Sequence, residues 1–573
     1  MKELSRYIRP YVGFIGLTLF IKLLGSVVEL FIPWLMEVML DEKVPAGQLD
    51  QIYLYGGLML LCAFGCLAFN ILANRMSAIS SGKITRAIRH DLFDKLQSLS
   101  AKQMDELTVS SAESRLTSDT YNVNQLLTRL QRMGVRAPIL LLGGIFMTLA
   151  MDAPLALVLI ALLPIICVVA YFVTKYSVPM YAYQQTVLDK VVQVVQENIT
   201  GIRVIKALSK TDYERQRFHG VNQELADTGL KAGMVTGITN PVAMLVLRLG
   251  LTLVVLLGAY RVNGGVMKPG VIVAFLQYFT MILNAMLTVT RIFVMMSKGE
   301  ASAKRVAQVL ATEEDLQVLE CLEEPAPNAP HIEFDNVSFS YTGIGKNIDS
   351  LSFRLEQGQT LGILGPTGSG KSTVLNLLLR LYDVDEGAVR IRGKDVRTIP
   401  PEELRKQFGV VFQNDFVTAG TVGHNIRFFR ELPDAALDTA AEHAQAEFVK
   451  EKEGGLEAEV VVRGNNLSGG QKQRLLIARA LAADPEILVL DDASSALDYA
   501  TDAALRRALR EHFRNTTTVL VAQRISSLRH ADLILVLDEG KVIGMGNHAQ
   551  LMESCEEYRI IAQTQMGEGK EEA

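Results

Sequence analysis

Residues 360–382 read TLGILGPTGSGKSTVLNLLLRLY. The apolar run Leu361–Leu364 predicts a short buried strand. A glycine-rich turn follows, and the apolar spacing after Lys371 predicts a helix. Gly365, Gly370, Lys371 and Ser372 fit the pattern G-x-x-x-x-G-K-[ST] between that strand and that helix. The chemistry needs these residue types. Glycines let backbone N–H groups wrap phosphates, and the helix N-terminus adds positive potential. A lysine here contacts the β- and γ-phosphates, and a serine hydroxyl holds Mg²⁺. A nucleotide site is therefore expected on Gly365, Thr367, Gly368, Ser369, Gly370, Lys371, Ser372 and Thr373, inside an α/β domain.

Downstream, residues 487–498 read ILVLDDASSALD. The apolar run predicts a buried strand that delivers Asp491 to Mg²⁺. Such a run is common by itself. Its place after the phosphate loop gives it weight.

Upstream the physics changes. The chain has 573 residues, enough for several domains, and 49% are hydrophobic. The apolar character is concentrated before residue 300, in six candidate spans: 12–40, 52–80, 134–151, 155–175, 236–262 and 271–297. Each supplies the roughly 20 residues of a bilayer crossing. The basic N-terminus followed by an apolar stretch reads as a first membrane helix, since the run is too long for a signal peptide. The connection MDAP (151–154) predicts a tight hairpin. The polar stretches 81–133 and 176–235 are long, helical in composition and rich in Lys and Arg. With Lys2, Arg6 and Arg9 they place the N-terminus and both loops in the cytoplasm, with membrane helices continuing beyond the bilayer.

Glu29 and Arg248 fall inside spans, where charge is costly. They read either as groups facing a substrate cavity or gate, or as residues that pair or snorkel between helices. Trp34 reads as an interface anchor. Cys62, Cys66, Cys167, Cys321 and Cys555 read as unpaired packing residues. A net charge of −5 speaks against a nucleic-acid partner. Three regions result: a membrane domain at 1–300, a linker at 301–330 ending in a proline cluster, and an ATPase domain at 331–573.

Residues 465–481, NNLSGGQKQRLLIARAL, carry Ser468, Gly469, Gly470 and Gln471. They match the signature sequence of ABC transporter ATPases. The chain resembles an ABC exporter half-transporter along its whole length: an all-α membrane domain of six helices followed by an α/β P-loop nucleotide-binding domain. The resemblance implies ATP and Mg²⁺ as cofactors. It implies Tyr341, in SFSY, as the adenine-stacking ring and Gln413, in VVFQND, as a further Mg²⁺ contact. Asp498, ending SALD, resembles the loop that couples two sites. SRLTSDTYNV (114–123) and ENITGIRVIKAL (197–208) resemble intracellular loops near coupling helices.

Three positions depart from that family. Asp492 stands where members that hydrolyse ATP usually carry Glu. Gln523, in LVAQRIS, stands where a switch histidine contacts the γ-phosphate. Val461 and Val462 replace a common Gly-Glu. Aspartate is one methylene short of the attacking water, and an amide carries no charge and shuttles no proton. The signature is intact. The expectation is a heterodimer: this chain's own site binds ATP and hydrolyses it poorly, while a partner half-transporter with Glu and His faces Ser468–Gln471. This is similar to heterodimeric bacterial multidrug exporters. The expected cargo is a small amphipathic or drug-like molecule, exported through a bacterial cytoplasmic membrane and its lipid. Alternatives are a slow homodimeric exporter of lipid or peptide, an ATP-gated regulatory membrane protein, or an importer on the same fold.

Overall fold

A computed structural model describes residues 2–320, 328–413 and 416–566. The Cys167 side chain and Cys321 lie outside them, as does most of the proline cluster. The chain forms two compact units, Met1–Gln97 with Ser110–Thr312, and Ser98–Val109 with Glu313–Ala573.

The first unit is helical. Long helices span Val12–Val38, Leu49–Ser98, Arg136–Met151, Ala153–Thr200, Thr239–Asn263 and Pro269–Leu310. Among the described residues five helical stretches are long and apolar enough to cross a membrane, and Ala153–Ile165 is a shorter apolar sixth. The 50 residues of Leu49–Ser98 reach about 75 Å at 1.5 Å per residue, well beyond a bilayer core of roughly 30 Å. The helix Pro269–Leu310 likewise runs past residue 300 into the stretch read as linker. Asp152 makes the expected hairpin: its side chain accepts from Leu155 N at 3.0 Å and pairs with Arg261 at 2.8 Å.

Close helix approach depends on small residues. A Cβ on Gly144 would meet Ile282 Cγ1 at 2.7 Å, so the glycine lets two helices touch around Leu140, Tyr278 and Ile282. Asp41 solves another problem. The first backbone N–H groups of a helix have no partner within it. Asp41 Oδ1 accepts from Gly270 N at 2.6 Å and Oδ2 from Val271 N at 3.2 Å, closing the start of Pro269–Leu310.

The second unit is α/β. Its larger sheet has six strands in the order Lys541–Gly546, Leu533–Asp538, Thr360–Leu364, Thr517–Val521, Ile487–Asp491 and Phe408–Val411. The last five run parallel, and Lys541–Gly546 is an antiparallel edge. Every residue of Ile487–Asp491 is buried, as parallel strands covered on both faces require. A smaller antiparallel sheet orders Ile348–Leu355, Ile332–Phe339, Glu386–Ile391 and Lys394–Asp395. Ser98–Val109, which lies between membrane helices in sequence, packs as part of this unit. Ser100 caps the helix Ala101–Leu107 and donates to Asp315 at 2.9 Å. Tyr382 donates to Asp105 at 2.5 Å. Ser98–Val109 lies upstream of the loop sequence at 114–123.

Asp41→Ala removes a helix cap and is expected to cost about 1–2 kcal/mol, whereas Asp41→Asn keeps most of it. Thermal unfolding of the full chain in detergent checks the difference. Equal midpoints for the two variants would show that the cap contributes nothing.

Candidate functional site

Three parallel strands end at one level. Val521 pairs with Ile363 on one side and Asp491 on the other. The loops after these strands therefore meet beyond the carboxyl ends, where ligands of open α/β sheets bind. A cavity of about 270 Å³ lies there. Its lining brings together Thr367, Gly368, Gly370, Lys371, Ser372, Thr373, Gln413, Asp491, Asp492 and Gln523.

The phosphate loop takes its shape from glycine. Gly370 has φ 101°, and a Cβ there would meet Asn347 O at 2.9 Å. Lys371 begins the helix Lys371–Leu378 and donates from Nζ to Gly365 O at 2.9 Å and Pro366 O at 2.7 Å. Burial pushes its pKa down, against the pull of Asp491 and Asp492. Burial pushes the Asp491 carboxyl up; the Ser372 hydrogen bond and Lys371 work against that, while the charge of Asp492 adds to it.

Ser372 Oγ donates to Asp491 Oδ2 at 3.1 Å. This hydroxyl–carboxylate pair, with the Gln413 side chain lining the same cavity, offers the hard oxygen donors that Mg²⁺ prefers. Among the described residues no group of three or more His, Cys, Asp or Glu side chains forms a metal cage.

Asp492 and Gln523 touch each other. Asp492 sits at φ 51°, in the left-handed region. Its N–H donates to Val521 O at 2.9 Å, and its carbonyl accepts from Ser495 N at 3.2 Å and Ser495 Oγ at 2.9 Å. From that fixed backbone its Oδ2 accepts from Gln523 Nε2 at 3.1 Å. Burial raises the Asp492 pKa, while Lys371, Arg524 and this hydrogen bond oppose the rise.

Several expected residues lie outside the lining. Gly365 and Ser369 belong to the same loop but do not line it. Tyr341 stands beside it, with its hydroxyl 3.4 Å from Thr373 Oγ1 and accepting from Asn376 Nδ2 at 3.0 Å. Its ring packs edge-on against Phe339 and Tyr382. Ser468–Gln471 do not line it either. Ser468 caps the helix Gly469–Leu481, and Gln471 closes a reciprocal capping box. Asp498 caps the helix Tyr499–His512 through Thr501 N at 2.7 Å.

Two contributors escaped the sequence reading. Asn347 accepts from Tyr341 N at 3.0 Å and lines the cavity. Gln565, in the C-terminal helix Glu556–Met566, donates to Gln523 O at 2.8 Å and accepts from Ile525 N at 2.7 Å. One amide thereby clamps the backbone on both sides of Arg524. No local pattern announces it; only the fold brings residue 565 to residue 523.

In the membrane unit, Glu29 forms a two-pronged pair with Arg136, at 2.8 Å and 3.0 Å from one guanidinium nitrogen. Arg248 is exposed, and Trp34 packs edge-on against Phe31.

Comparison with known proteins agrees with this architecture. The family descriptions "ABC transporter transmembrane region" and "ABC transporter" match residues 15–286 and 348–495. An uncharacterized ABC transporter ATP-binding protein of Bacillus subtilis, YfiB, is 33% identical over 100% of both chains. A fatty acid ABC transporter ATP-binding/permease protein of Mycobacterium bovis is 31% identical over 83% of this chain and 76% of its own. The structure of a bacterial Atm1-family ABC exporter with ATP bound superposes with a TM-score of 0.81 at 25% identity, covering 97% of this chain and 100% of that one. The chain belongs to the ABC transporter family, as an ATP-driven exporter with a helical transmembrane domain followed by an α/β nucleotide-binding domain.

Proposed function

We propose that this chain is one half of a heterodimeric exporter and that its own ATP site binds nucleotide but turns it over slowly. The hydrogen bond between Asp492 Oδ2 and Gln523 Nε2 carries the reading. The residue expected to polarise water is short by one methylene and engaged by the residue expected to sense the γ-phosphate. General-base positioning contributes about 10²–10⁴-fold, and misplacement near 1 Å costs about 10²-fold.

The binding side of the site is intact. Lys371 and the loop Gly365–Gly370 would hold phosphates, and Ser372, Asp491 and Gln413 would hold Mg²⁺, which would supply positive charge against the phosphates. Thr373 and Tyr341 bound the end toward the base. Ser468–Gln471 form a finished helix start outside this chain's own cavity, ready to close a partner's site carrying Glu and His. ATP-driven closure of the two ATPase domains then turns the membrane bundle outward. The proposed setting is a bacterial cytoplasmic membrane with the ATPase unit in the cytoplasm. The likeness to a fatty acid transporter favours an amphipathic cargo over a multidrug role.

The purified chain alone, in lipid, is expected to bind ATP with negligible steady-state hydrolysis. The double variant Asp492→Glu/Gln523→His should raise turnover by about 10²-fold or more. Robust turnover by the unaltered chain would overturn the reading. In that double variant, Gln565→Ala should lower kcat about fivefold with KM nearly unchanged, the effect of one net hydrogen bond of roughly 1 kcal/mol. A rise in KM instead would mean that Gln565 supports nucleotide binding rather than the switch loop.

A further inference from the structure

A second cavity, of about 380 Å³, lies within the membrane unit between the helices Val12–Val38, Leu49–Ser98, Thr120–Met133, Arg136–Met151 and Pro269–Leu310. That volume falls in the range of small-molecule sites. Its charge is unbalanced. Lys22, Arg132 and Arg136 line it with Glu29 as the one carboxylate, and Arg136 is the residue that Glu29 neutralises.

Lys22 is only 3% exposed, in the middle of a membrane-spanning helix. Its ammonium donates to Asn70 Oδ1 at 2.6 Å and Asn74 Oδ1 at 3.3 Å, both neutral amides. Arg132 donates from Nη2 to Asn74 O at 3.1 Å, and its buried Nε has no partner. Ionisable groups in the bilayer are costly and mark ligand paths. A buried charged donor without an acceptor carries a desolvation penalty. The same cavity is also lined by the apolar side chains of Leu140, Met281 and Ala285.

We propose that this cavity binds an amphipathic anion. Lys22 and Arg132 hold a carboxylate or phosphate, and Leu140 and Met281 cover the adjoining alkyl chain. No covalent step is involved. The inference rests on the export reading only in taking this ligand as the cargo class; the site stands on the charge surplus. The same anion chemistry could come from a free amphiphile or from a lipid headgroup.

The test uses the full chain in phosphatidylcholine nanodiscs, with dansyl-undecanoate and its methyl ester as fluorescent probes. The acid is expected to bind about tenfold or more tightly than the ester, a difference of about one charged hydrogen bond. Arg132→Gln should weaken the acid by a similar factor and leave the ester unchanged, with Arg132→Lys intermediate. Lys22→Gln is the second variant, and ATP binding reports whether each variant folds. Equal affinity for acid and ester, or no effect of Arg132→Gln in a chain that still binds ATP, overturns the site. Adding phosphatidylglycerol separates the sources: competition identifies a lipid headgroup, and undiminished binding a free amphiphile. ATP-dependent efflux from vesicles by the Asp492→Glu/Gln523→His variant separates the two readings. Binding without efflux would show that the bound anion is not the cargo and leave the site, and efflux of another cargo without anion binding would defeat the site alone.

Discussion

Asp491 is 5% exposed at the end of a strand with no solvent-facing residue, so its charge must be met inside the protein. Ser372 Oγ reaches it directly, and Lys371 and Asp492 act on it through their charges. A carboxylate resists ionisation when buried, and a lysine resists protonation. Phosphates and a divalent cation would supply what each side lacks, negative charge for Lys371 and positive charge for Asp491. The sheet register that aligns Ile363, Val521 and Asp491 is therefore also what makes the nucleotide site.

The membrane unit meets the same constraint with different partners. Asp152 pairs with Arg261 while capping a helix, Asp119 pairs with Arg305 at 2.5 Å, and Asp41 is satisfied by backbone N–H groups. Glu29 finds Arg136. Against that pattern of matched charge, the cationic surplus at Lys22 and Arg132 stands out. Neutral amides can satisfy an ammonium's hydrogen-bond geometry without cancelling its charge.

Local patterns were legible in the sequence wherever neighbours along the chain carry the chemistry. The phosphate loop, the strand ending in Asp491 and the signature each lie within one short stretch, and the structure gathers most of the expected ligands around one cavity. Long-range pairings were not legible. Glu29 was visible as a charge inside a span, but its partner is 107 positions away. Lys22 passed unnoticed, although it lies two helical turns before Glu29 in the same apolar run. The clamp by Gln565 joins positions 42 apart and has no signature. Helix ends were blurred for a related reason: hydropathy stops at the bilayer, whereas backbone hydrogen bonding carries Leu49–Ser98 and Pro269–Leu310 onward without a break.

Asp492 and Gln523 are best understood as one unit. A glutamate at position 492 would extend from the same left-handed backbone, already fixed by Val521 and Ser495. Its extra methylene would carry the carboxylate past the point at which Asp492 now meets the amide. A histidine at 523 could share a proton with it, whereas glutamine can only donate from its nitrogen to the nearer oxygen. Each substitution thus suits the other: the shorter acid leaves an acceptor within reach of the amide, and the amide gives a buried carboxylate a donor. Gln565 holds the backbone beneath that contact from the C-terminal helix. In the proposed reading, an arrangement held from both ends would favour retention of nucleotide over its hydrolysis, because the group that would have to swing toward water is already hydrogen-bonded.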